Sequence, residues 1–293
     1  MDAAIFPNIC KPEVYPFFKT LARVMDSEGI RYYLPASART YFEAHHIELP
    51  ENIYRTQEWL GTHVQFVFSI GGDGSFLLAA REMADFPVLL AGIHLGDLGF
   101  LNSISPQDLK ERIRQIKAGS YSVEKRVFLS SYICQENGEQ KRLPDALNDL
   151  VVGHSQIGKM ARLRLYINDQ FFQQYPADGL ILSTPTGSTS YALSCGGPIL
   201  AANAENVLVV PICPHMIQNF SMVLSMKEKI AVQLPEREKK IHISVDGNGQ
   251  YEIQKNETLH VRCVHKNIGF VRFDDQPFFS ALSSRLFPKI TGQ

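Results

Sequence analysis

The chain has 293 residues, of which 45% are hydrophobic and 20% are charged, a composition typical of a globular protein and not of a disordered, collagen-like or coiled-coil chain. Its 29 Lys and Arg residues balance 30 Asp and Glu residues, so the basic excess that favours nucleic acid as a partner is missing. Apolar runs fall short of the roughly 18 residues of a membrane-spanning helix, and residues 1–7 lack the regions of a signal peptide. We therefore expect a cytoplasmic protein with no nucleic-acid or membrane partner.

The first hundred residues alternate short apolar runs with helical patterns, which predicts βαβ units around a parallel sheet. The predicted strands are residues 3–6, 30–34, 64–70 and 88–93, and the predicted helices are residues 14–27, 75–83 and 106–118. Beyond Tyr121 the pattern changes to short runs of alternating apolar and polar residues. Two of these runs end in the turn pairs Asn168-Asp169 and Asp246-Gly247, which are typical of β-hairpins.

These patterns predict two domains. An α/β domain with a parallel sheet occupies residues 1–105, and a mainly β domain occupies residues 106–274. The tail, residues 275–293, contains a helical pattern that is compatible with packing back on the first domain. Five cysteines without a Cys-x-x-Cys pair, and nine histidines without ligand spacing, predict no metal site made by the protein alone.

A glycine-rich loop with one carboxylate, Gly71-Gly72-Asp73-Gly74, separates a predicted strand from a predicted helix. In an α/β sheet this position, beyond the carboxyl end of a strand, is where ligands bind. Glycines let backbone N–H groups approach a phosphate, and a helix N-terminus favours an anion. Because Asp73 would repel a phosphate, it indicates a base for a hydroxyl proton or a group acting through a divalent cation. An ordinary turn is the alternative, since Gly and Asp are common turn residues.

A second candidate segment runs from Asp178 to Pro198 and is rich in hydroxyl side chains and small residues, with one aromatic, Tyr191. Hydroxyls can bind a ribose and an aromatic ring can stack on a base, so the segment suits a nucleotide. Composition alone also allows an ordinary Ser/Thr/Gly/Pro loop. The motifs of P-loop NTPases, Rossmann dehydrogenases, zincins and α/β-hydrolases are missing from the sequence.

Taken together, the motifs resemble those of the NAD kinases. The Gly-Gly-Asp-Gly loop is shared with 6-phosphofructokinases and with diacylglycerol or sphingosine-type lipid kinases, whereas the other segments are typical of NAD kinases. In chain order these segments are Gly96-x-Leu98-Gly99-Phe100-Leu101, Asn148-Asp149, residues 178–199, Pro211-Ile212-Cys213-Pro214-His215 and Ser244-Val245-Asp246-Gly247. The resemblance extends over residues 5–286.

The resemblance implies transfer of the γ-phosphoryl group of ATP to the 2′-hydroxyl of the adenosine ribose of NAD. It also implies Mg²⁺ or Mn²⁺ as a divalent cation, with NAD and ATP as the substrates. The expected architecture is an α/β N-terminal domain and an all-β C-terminal domain with the active site between them. Members of this family are commonly homodimers or homotetramers.

The resemblance also assigns roles to individual residues. Asp73 matches the proton acceptor that is proposed for the family, and Gly74 belongs to the same phosphate-proximal turn. The residues that match dinucleotide contacts are Asn148, Asp149, Lys159, Asp178, Thr189, Ser190, Tyr191, Ala192, Leu193, Ser194 and Asn248. Asp178 corresponds to the acid at the nicotinamide end, and Asp149 replaces the more usual Glu with a side chain one methylene shorter.

Two other functions fit part of this pattern. A lipid or sugar kinase would share the Gly-Gly-Asp-Gly loop, and a panel of acceptor substrates separates it from an NAD kinase. A non-catalytic sensor would bind NAD or NADP without consuming ATP, so ATP turnover distinguishes it.

Overall fold

The computed structural model describes residues 1–96, 99–154, 159–215, 220–236, 238–274 and 282–283. The chain divides into two compact units, Met1–Lys125 with Asn267–Gln293, and Arg126–Lys266. Within the described ranges, no helix combines the length and the apolar character that crossing a membrane requires.

Strands and helices alternate in the first unit, whereas strands dominate the second. The strands are β1 (Asp2–Pro7), β2 (Arg31–Pro35), β3 (Tyr54–Arg55), β4 (Phe66–Gly71), β5 (Leu89–His94), β6 (Ser122–Glu124), β7 (Val127–Cys134), β8 (Gln140–Arg142), β9 (Asp149–Gly153), β10 (Ala161–Ile167), β11 (Gln170–Ala177), β12 (Gly179–Ser183), β13 (Asn206–Ile212), β14 (Met222–Ser225), β15 (Ile230–Gln233), β16 (Lys240–Val245), β17 (Asn248–Gln254), β18 (Thr258–His265) and β19 (Gly269–Arg272). The helices are α1 (Val14–Ser27), α2 (Arg39–Ala44), α3 (Gln57–His63), α4 (Asp73–Met83), α5 (Leu109–Ala118) and α6 (Tyr191–Ser194). Short 3₁₀ turns lie at Ala36–Ala38, Glu51–Ile53 and Gly187–Thr189.

The first unit is built on a mostly parallel sheet with the strand order β3-β2-β1-β4-β5-β19-β6. Its strands pair in parallel except for β6, which pairs antiparallel with β19. The strand order reverses between β1 and β4, which makes this the topological switch point where such sheets bind ligands. The glycine-rich loop begins at Gly71, the last residue of β4, so it lies at this switch point.

Helix α1 occupies the predicted residues 14–27, because its apolar side chains recur at helical spacing. Phe18, Leu21 and Met25 are buried in the core of the first unit. Gly29 follows the helix with a φ of +67°, a conformation that glycine adopts without strain and that commonly terminates a helix. Hydrophobic periodicity and one turn residue are therefore sufficient to define this helix.

The boundary between the units lies after Lys125 and differs from the predicted boundary after residue 105. Helix α5 belongs to the first unit because Leu109, Ile113 and Ile116 are buried in that unit's core. Strand β19 also joins the first sheet, between β5 and β6, although it comes from the far end of the sequence. The predicted tail, residues 275–293, lies outside the described residues except for 282–283.

The second unit consists of two antiparallel sheets, with the orders β11-β10-β15-β18-β7-β8 and β14-β13-β12-β9-β16-β17. Apolar side chains from both sheets form a common core, including Leu129, Leu163, Val261, Leu150, Leu182 and Ile243. The opposite face of β12 and β13 packs with α6 through Ile181, Leu208 and Ala192. The predicted combination of an α/β domain and an all-β domain is confirmed.

Two predicted hairpin turns are also confirmed in this unit. Asp246-Gly247 joins β16 to β17, with φ values of +49° and +71°. Asn168-Asp169 joins β10 to β11, with φ values of +51° and +65°. Positive φ at both positions gives a two-residue turn whose twist matches the flanking strands.

Candidate active site

The carboxylate of Asp73 is held by a second loop of the same unit. Its Oδ2 accepts a hydrogen bond from the Phe100 backbone N–H at 2.8 Å. Its Oδ1 accepts one from the Leu101 N–H at 3.2 Å and one from the Asn102 side-chain amide at 2.9 Å. A carboxylate has about four acceptor positions. Counting the described residues, these three bonds leave a position on Oδ2 for a further donor.

The end of β4 shapes the loop that carries Asp73. Gly71 has a φ of +145°, and a Cβ atom at this position would overlap the Ser75 hydroxyl. The same hydroxyl accepts a hydrogen bond from the Asn8 amide at 2.9 Å, which ties the end of β1 to the first turn of α4. Helix α4 begins at Asp73, so this half-buried carboxylate and the exposed Gly74 lie in its first turn. A negative charge is favoured there by the helix dipole.

In the second unit, Asn148 and Asp149 lie where the chain enters β9, and their backbone is held from two directions. The Asp246 carboxylate accepts hydrogen bonds from three successive backbone N–H groups. These belong to Leu147, Asn148 and Asp149, at donor–acceptor distances of 3.0, 2.8 and 3.1 Å. On the other side, the Asn148 carbonyl accepts a hydrogen bond from the Thr184 N–H at 2.8 Å.

The side chains of this cluster differ in their polar environment. Asn148 Oδ1 is buried and has no hydrogen-bond partner within the described part of the chain, which is rare for a buried acceptor and suits a donor from a ligand. Asp149 is only 4% exposed. Burial, together with the charge of Asp246, raises the pKa of the Asp149 carboxyl to about 7. The exposed Asn248 donates its side-chain amide to the Asp246 carbonyl at 3.0 Å. Asn148, Asp149 and Asn248 are thus brought together around Asp246.

The hydroxyl-rich stretch after β12 is largely used by the fold itself. Ser183, Thr184, Thr186 and Ser188 are each at most 6% exposed. The Ser188 hydroxyl donates to the Pro185 carbonyl at 2.6 Å, and the Thr184 hydroxyl donates to the Leu147 carbonyl. The Thr184 and Ser188 hydroxyls therefore bond backbone groups inside the unit, a use that composition does not distinguish from ribose binding.

Residues 189–194 form the accessible part of this stretch, where each residue except Ala192 is at least partly exposed. Tyr191 is 44% exposed. Burial is the main cause that raises the pKa of the Tyr191 hydroxyl above its ordinary value, followed by Cys195 and, to a smaller extent, Cys213 and Asp178. The half-buried Asp178 lies between β11 and β12, and its N–H donates to the end of β13.

Lys159 lies near His154 and not among the residues around Asp246. It is exposed, and its charge adds to burial in lowering the pKa of His154. His154 Nε2 lies 3.5 Å from the Glu238 carboxylate. Of the motif at residues 96–101, positions 97 and 98 lie outside the described residues.

The motifs do not predict the roles of Asn102 and Asp246. Asn102 directly follows the motif that ends at Leu101, and Asp246 lies within the motif at residues 244–247, so the sequence marks their surroundings. Their partners are distant in the chain, since Asn102 binds a residue 29 positions away and Asp246 one 98 positions away. Periodicity and local motifs do not reveal contacts of this kind.

Family models match both units of the chain. The model of the ATP-NAD kinase N-terminal domain matches residues 13–121, and that of the ATP-NAD kinase C-terminal domain matches residues 147–273. A protein named NAD kinase from Caldanaerobacter subterraneus subsp. tengcongensis is 32% identical over 284 residues, 96% of this chain and 97% of that protein. Another named NAD kinase, from Escherichia coli O7:K1, is 32% identical over 243 residues, 83% of each chain.

Two solved structures share the fold. The crystal structure of yeast NADH kinase complexed with NADH has a TM-score of 0.87 at 18% identity, covering 100% of this chain and 89% of that chain. The crystal structure of an NAD kinase from Archaeoglobus fulgidus in complex with ATP has a TM-score of 0.72 at 22% identity, covering 96% and 97%.

The two domain matches and the nearly full-length relatives define the chain as a phosphotransferase. It belongs to the ATP-NAD kinase family. The N-terminal match contains Asp73 and Gly74, and the C-terminal match contains the other candidate residues, from Asn148 to Asn248.

Proposed function

We propose that this chain transfers the γ-phosphoryl group of ATP to the 2′-hydroxyl of the adenosine ribose of NAD, giving NADP, with Asp73 as the general base. The observation that carries this proposal is the Asp73 carboxylate, which three donors orient while a position on Oδ2 stays available. Membership of the family supports the choice of NAD and ATP as substrates.

Asp73 acts through that position. As the ribose oxygen forms its bond to the γ-phosphorus, the O–H bond breaks and the proton passes to Oδ2, while the bond between the γ-phosphorus and ADP breaks. Phosphoryl transfer depends mainly on positioning and charge stabilisation. Bonds from residues 100–102 prevent the carboxylate from rotating, so its lone pair keeps a fixed direction.

In the same proposal, the second unit binds the dinucleotide. Asn148 Oδ1 is a buried acceptor that awaits a donor, such as an amino group or a hydroxyl of the ligand. Tyr191 offers an exposed ring on which a base can stack. Asp178 at the nicotinamide end, Asn248, Lys159 and the remaining residues of 189–194 complete the set that the family resemblance assigns.

A divalent cation fits this chain as a companion of ATP. Among the residues that the structure describes, no three His, Cys, Asp or Glu side chains are grouped closely enough to hold a metal ion. Mg²⁺ commonly keeps several waters and binds substrate phosphates together with one or two carboxylates. Mg²⁺ or Mn²⁺ would therefore take most of its ligands from ATP and neutralise charge on the phosphates. The homo-oligomeric state and the cytoplasmic location stay predictions.

The direct test is formation of NADP from NAD, ATP and Mg²⁺, measured with an NADP-specific dehydrogenase. We expect NADP to accumulate with an equal amount of ADP. ATP consumption only with a lipid or sugar acceptor would favour the first rival function. NAD binding without ATP consumption would favour the sensor, and either result would overturn the kinase proposal.

Replacing Gly99 by alanine is expected to lower turnover about 100-fold or more, because the Asp73 carboxylate would have to leave its position. A Cβ atom at residue 99 would overlap both carboxylate oxygens of Asp73. Steady-state kinetics measure the loss, and thermal unfolding shows whether the variant is folded. Full activity in a folded Gly99→Ala variant would contradict the role of carboxylate orientation.

A further inference from the structure

We propose that Asp246 is a positioning residue of the dinucleotide site, whose carboxylate fixes the backbone of residues 147–149 so that Asn148 and Asp149 are presented to NAD. This inference rests on the proposed function, and it gives a role to a motif residue that has no contact assigned by the family resemblance. Asp246 acts through the segment and makes no contact with substrate in this proposal.

The contacts between Asp246 and this segment are dense. Besides accepting the three N–H groups, Asp246 donates its own backbone N–H to the Asp149 carbonyl at 2.9 Å. Strand β16 pairs with β9 up to Val245 opposite Leu150, so Asp246 lies directly beside the point where the segment enters the sheet. Hydrogen bonds from neutral N–H groups to a carboxylate are among the stronger ones in proteins. One side chain therefore controls three consecutive peptide groups.

The hairpin turn alone does not require this carboxylate. Asparagine is as well suited as aspartate to a turn position with positive φ. Asp169 provides the comparison, because it also lies in a two-residue turn of this unit, with a φ of +65°, and its residue is exposed. Asp246 is only 8% exposed and directs its carboxylate inward. The inward contacts are thus additional to the needs of the turn.

The carboxylate also carries an energetic cost. Its charge is a cause, after burial, of the raised pKa of Asp149, so the Asp246 carboxylate destabilises the ionised form of Asp149. An arrangement selected only for stability would avoid a second acid at this position. Local costs of this kind are typical of functional sites. The cost therefore supports a role in the site over a role in folding alone.

The opposite side of the segment is equally constrained. The Thr184 hydroxyl donates a hydrogen bond to the Leu147 carbonyl, and the Thr184 N–H donates one to the Asn148 carbonyl. A Cβ atom at Gly187 would overlap the Asn148 carbonyl. With the carbonyls fixed in this way, loss of the Asp246 carboxylate would leave buried N–H groups without an acceptor. The segment would then have to move or admit water, and the Asn148 side chain would lose its orientation.

Two variants of the full chain test this inference. Asp246→Asn keeps the turn and the side-chain shape but places an amide where one acceptor oxygen was. Asp246→Gly deletes the side chain at a φ that glycine adopts without strain. Asp169→Asn is the matched control, since it removes an exposed carboxylate from the other turn. Each is compared with wild type in NAD affinity, in KM for NAD and for ATP, in kcat, and in amide hydrogen exchange at residues 147–149.

For both Asp246 variants we expect Kd and KM for NAD to rise about 10- to 100-fold, because residues 147–149 lose their fixed position and have to be ordered again when NAD binds. KM for ATP should change by less than about twofold and kcat less than KM for NAD, a selectivity that a general loss of structure would not give. Exchange at residues 147–149 should accelerate. Asp169→Asn should match wild type in every measurement.

Unchanged NAD affinity in folded variants would overturn the inference, as would lost affinity with unchanged exchange at residues 147–149. Failure of both variants to fold would overturn it too, because the carboxylate would then support the whole unit and not the binding segment. These outcomes are distinct from failure of the proposed function, which would appear as wild-type chain that forms no NADP. In that case NAD affinity and exchange still decide the role of Asp246.

Discussion

Replacing Asp73 by asparagine is expected to lower kcat about 10²- to 10⁴-fold, a loss of about 3–5 kcal/mol in transition-state stabilisation, while the affinities for NAD and ATP change little. An amide nitrogen cannot accept the ribose proton, although the side chain keeps its size. Steady-state kinetics with saturating NAD and ATP, combined with calorimetric titration of each ligand, separate the chemical step from binding.

The matched control is Glu58→Gln, which removes one exposed carboxylate from helix α3 of the same unit and should leave kcat unchanged. Because the new amide of Asp73→Asn would face the Phe100 N–H, hydrogen exchange at Phe100 and Leu101 reports whether the loop keeps its position. Near-normal kcat with an intact loop would remove Asp73 from the role of base. Loss of NAD affinity together with kcat would assign it to binding.

The second large effect concerns the pH dependence of stability and the Asp149 carboxyl. Its pKa is about 7 in the folded chain, against an ordinary value of 3.8. Between these values the folded state holds a proton that the unfolded state has released, so the free energy of unfolding decreases as pH rises through this window and levels off above it. Asp149→Asn removes this decrease. As pH rises from 5 to 8, the free energy of unfolding of the variant should therefore increase relative to that of wild type by on the order of 2–3 kcal/mol.

Urea unfolding at pH 5, 6.5 and 8 measures this effect. Glu139→Gln is the control, because it removes an exposed carboxylate from the turn before β8 of the same unit and should follow the wild-type curve. Parallel pH profiles for wild type and Asp149→Asn would contradict the raised pKa. If the stability of wild type instead increased from pH 5 to pH 8 while that of Asp149→Asn did not change, the pKa of Asp149 would be lowered on folding and not raised.

Much of the architecture is predictable because local patterns determine it. Helix α1 follows from apolar spacing and Gly29, and the strands β2, β4 and β5 begin and end within two residues of their predicted bounds. The Asp246-Gly247 and Asn168-Asp169 turns follow from residues that tolerate positive φ. The sequence places Asp73 directly after a buried strand. Because parallel sheets bind ligands at the carboxyl ends of their strands, this position marks Asp73 as a candidate site residue.

The remaining features depend on contacts between distant parts of the chain. Helices α2 and α3 are short and lie in a region without clear periodicity, so the sequence pattern does not predict them. The burial of Ser183 and Thr184 depends on the Leu147–Asp149 segment that they contact. For the same reason, the contacts of Asn102 with Asp73 and of Asp246 with residues 147–149 become apparent only in the folded structure. Composition identifies polar residues, but it does not show whether they face the interior or a ligand.

The insertion of β19 between β5 and β6 has a consequence for synthesis of the protein. The first sheet is completed only when residues 269–272 have been made, after the whole of the second unit. On the ribosome, β5 therefore remains without one of its neighbours while residues 126–266 are being made. A fragment that ends at Lys125 would retain this unpaired strand edge and tend to aggregate. The first unit therefore acquires its last strand, β19, only after the second unit has been made, although it begins at the start of the chain.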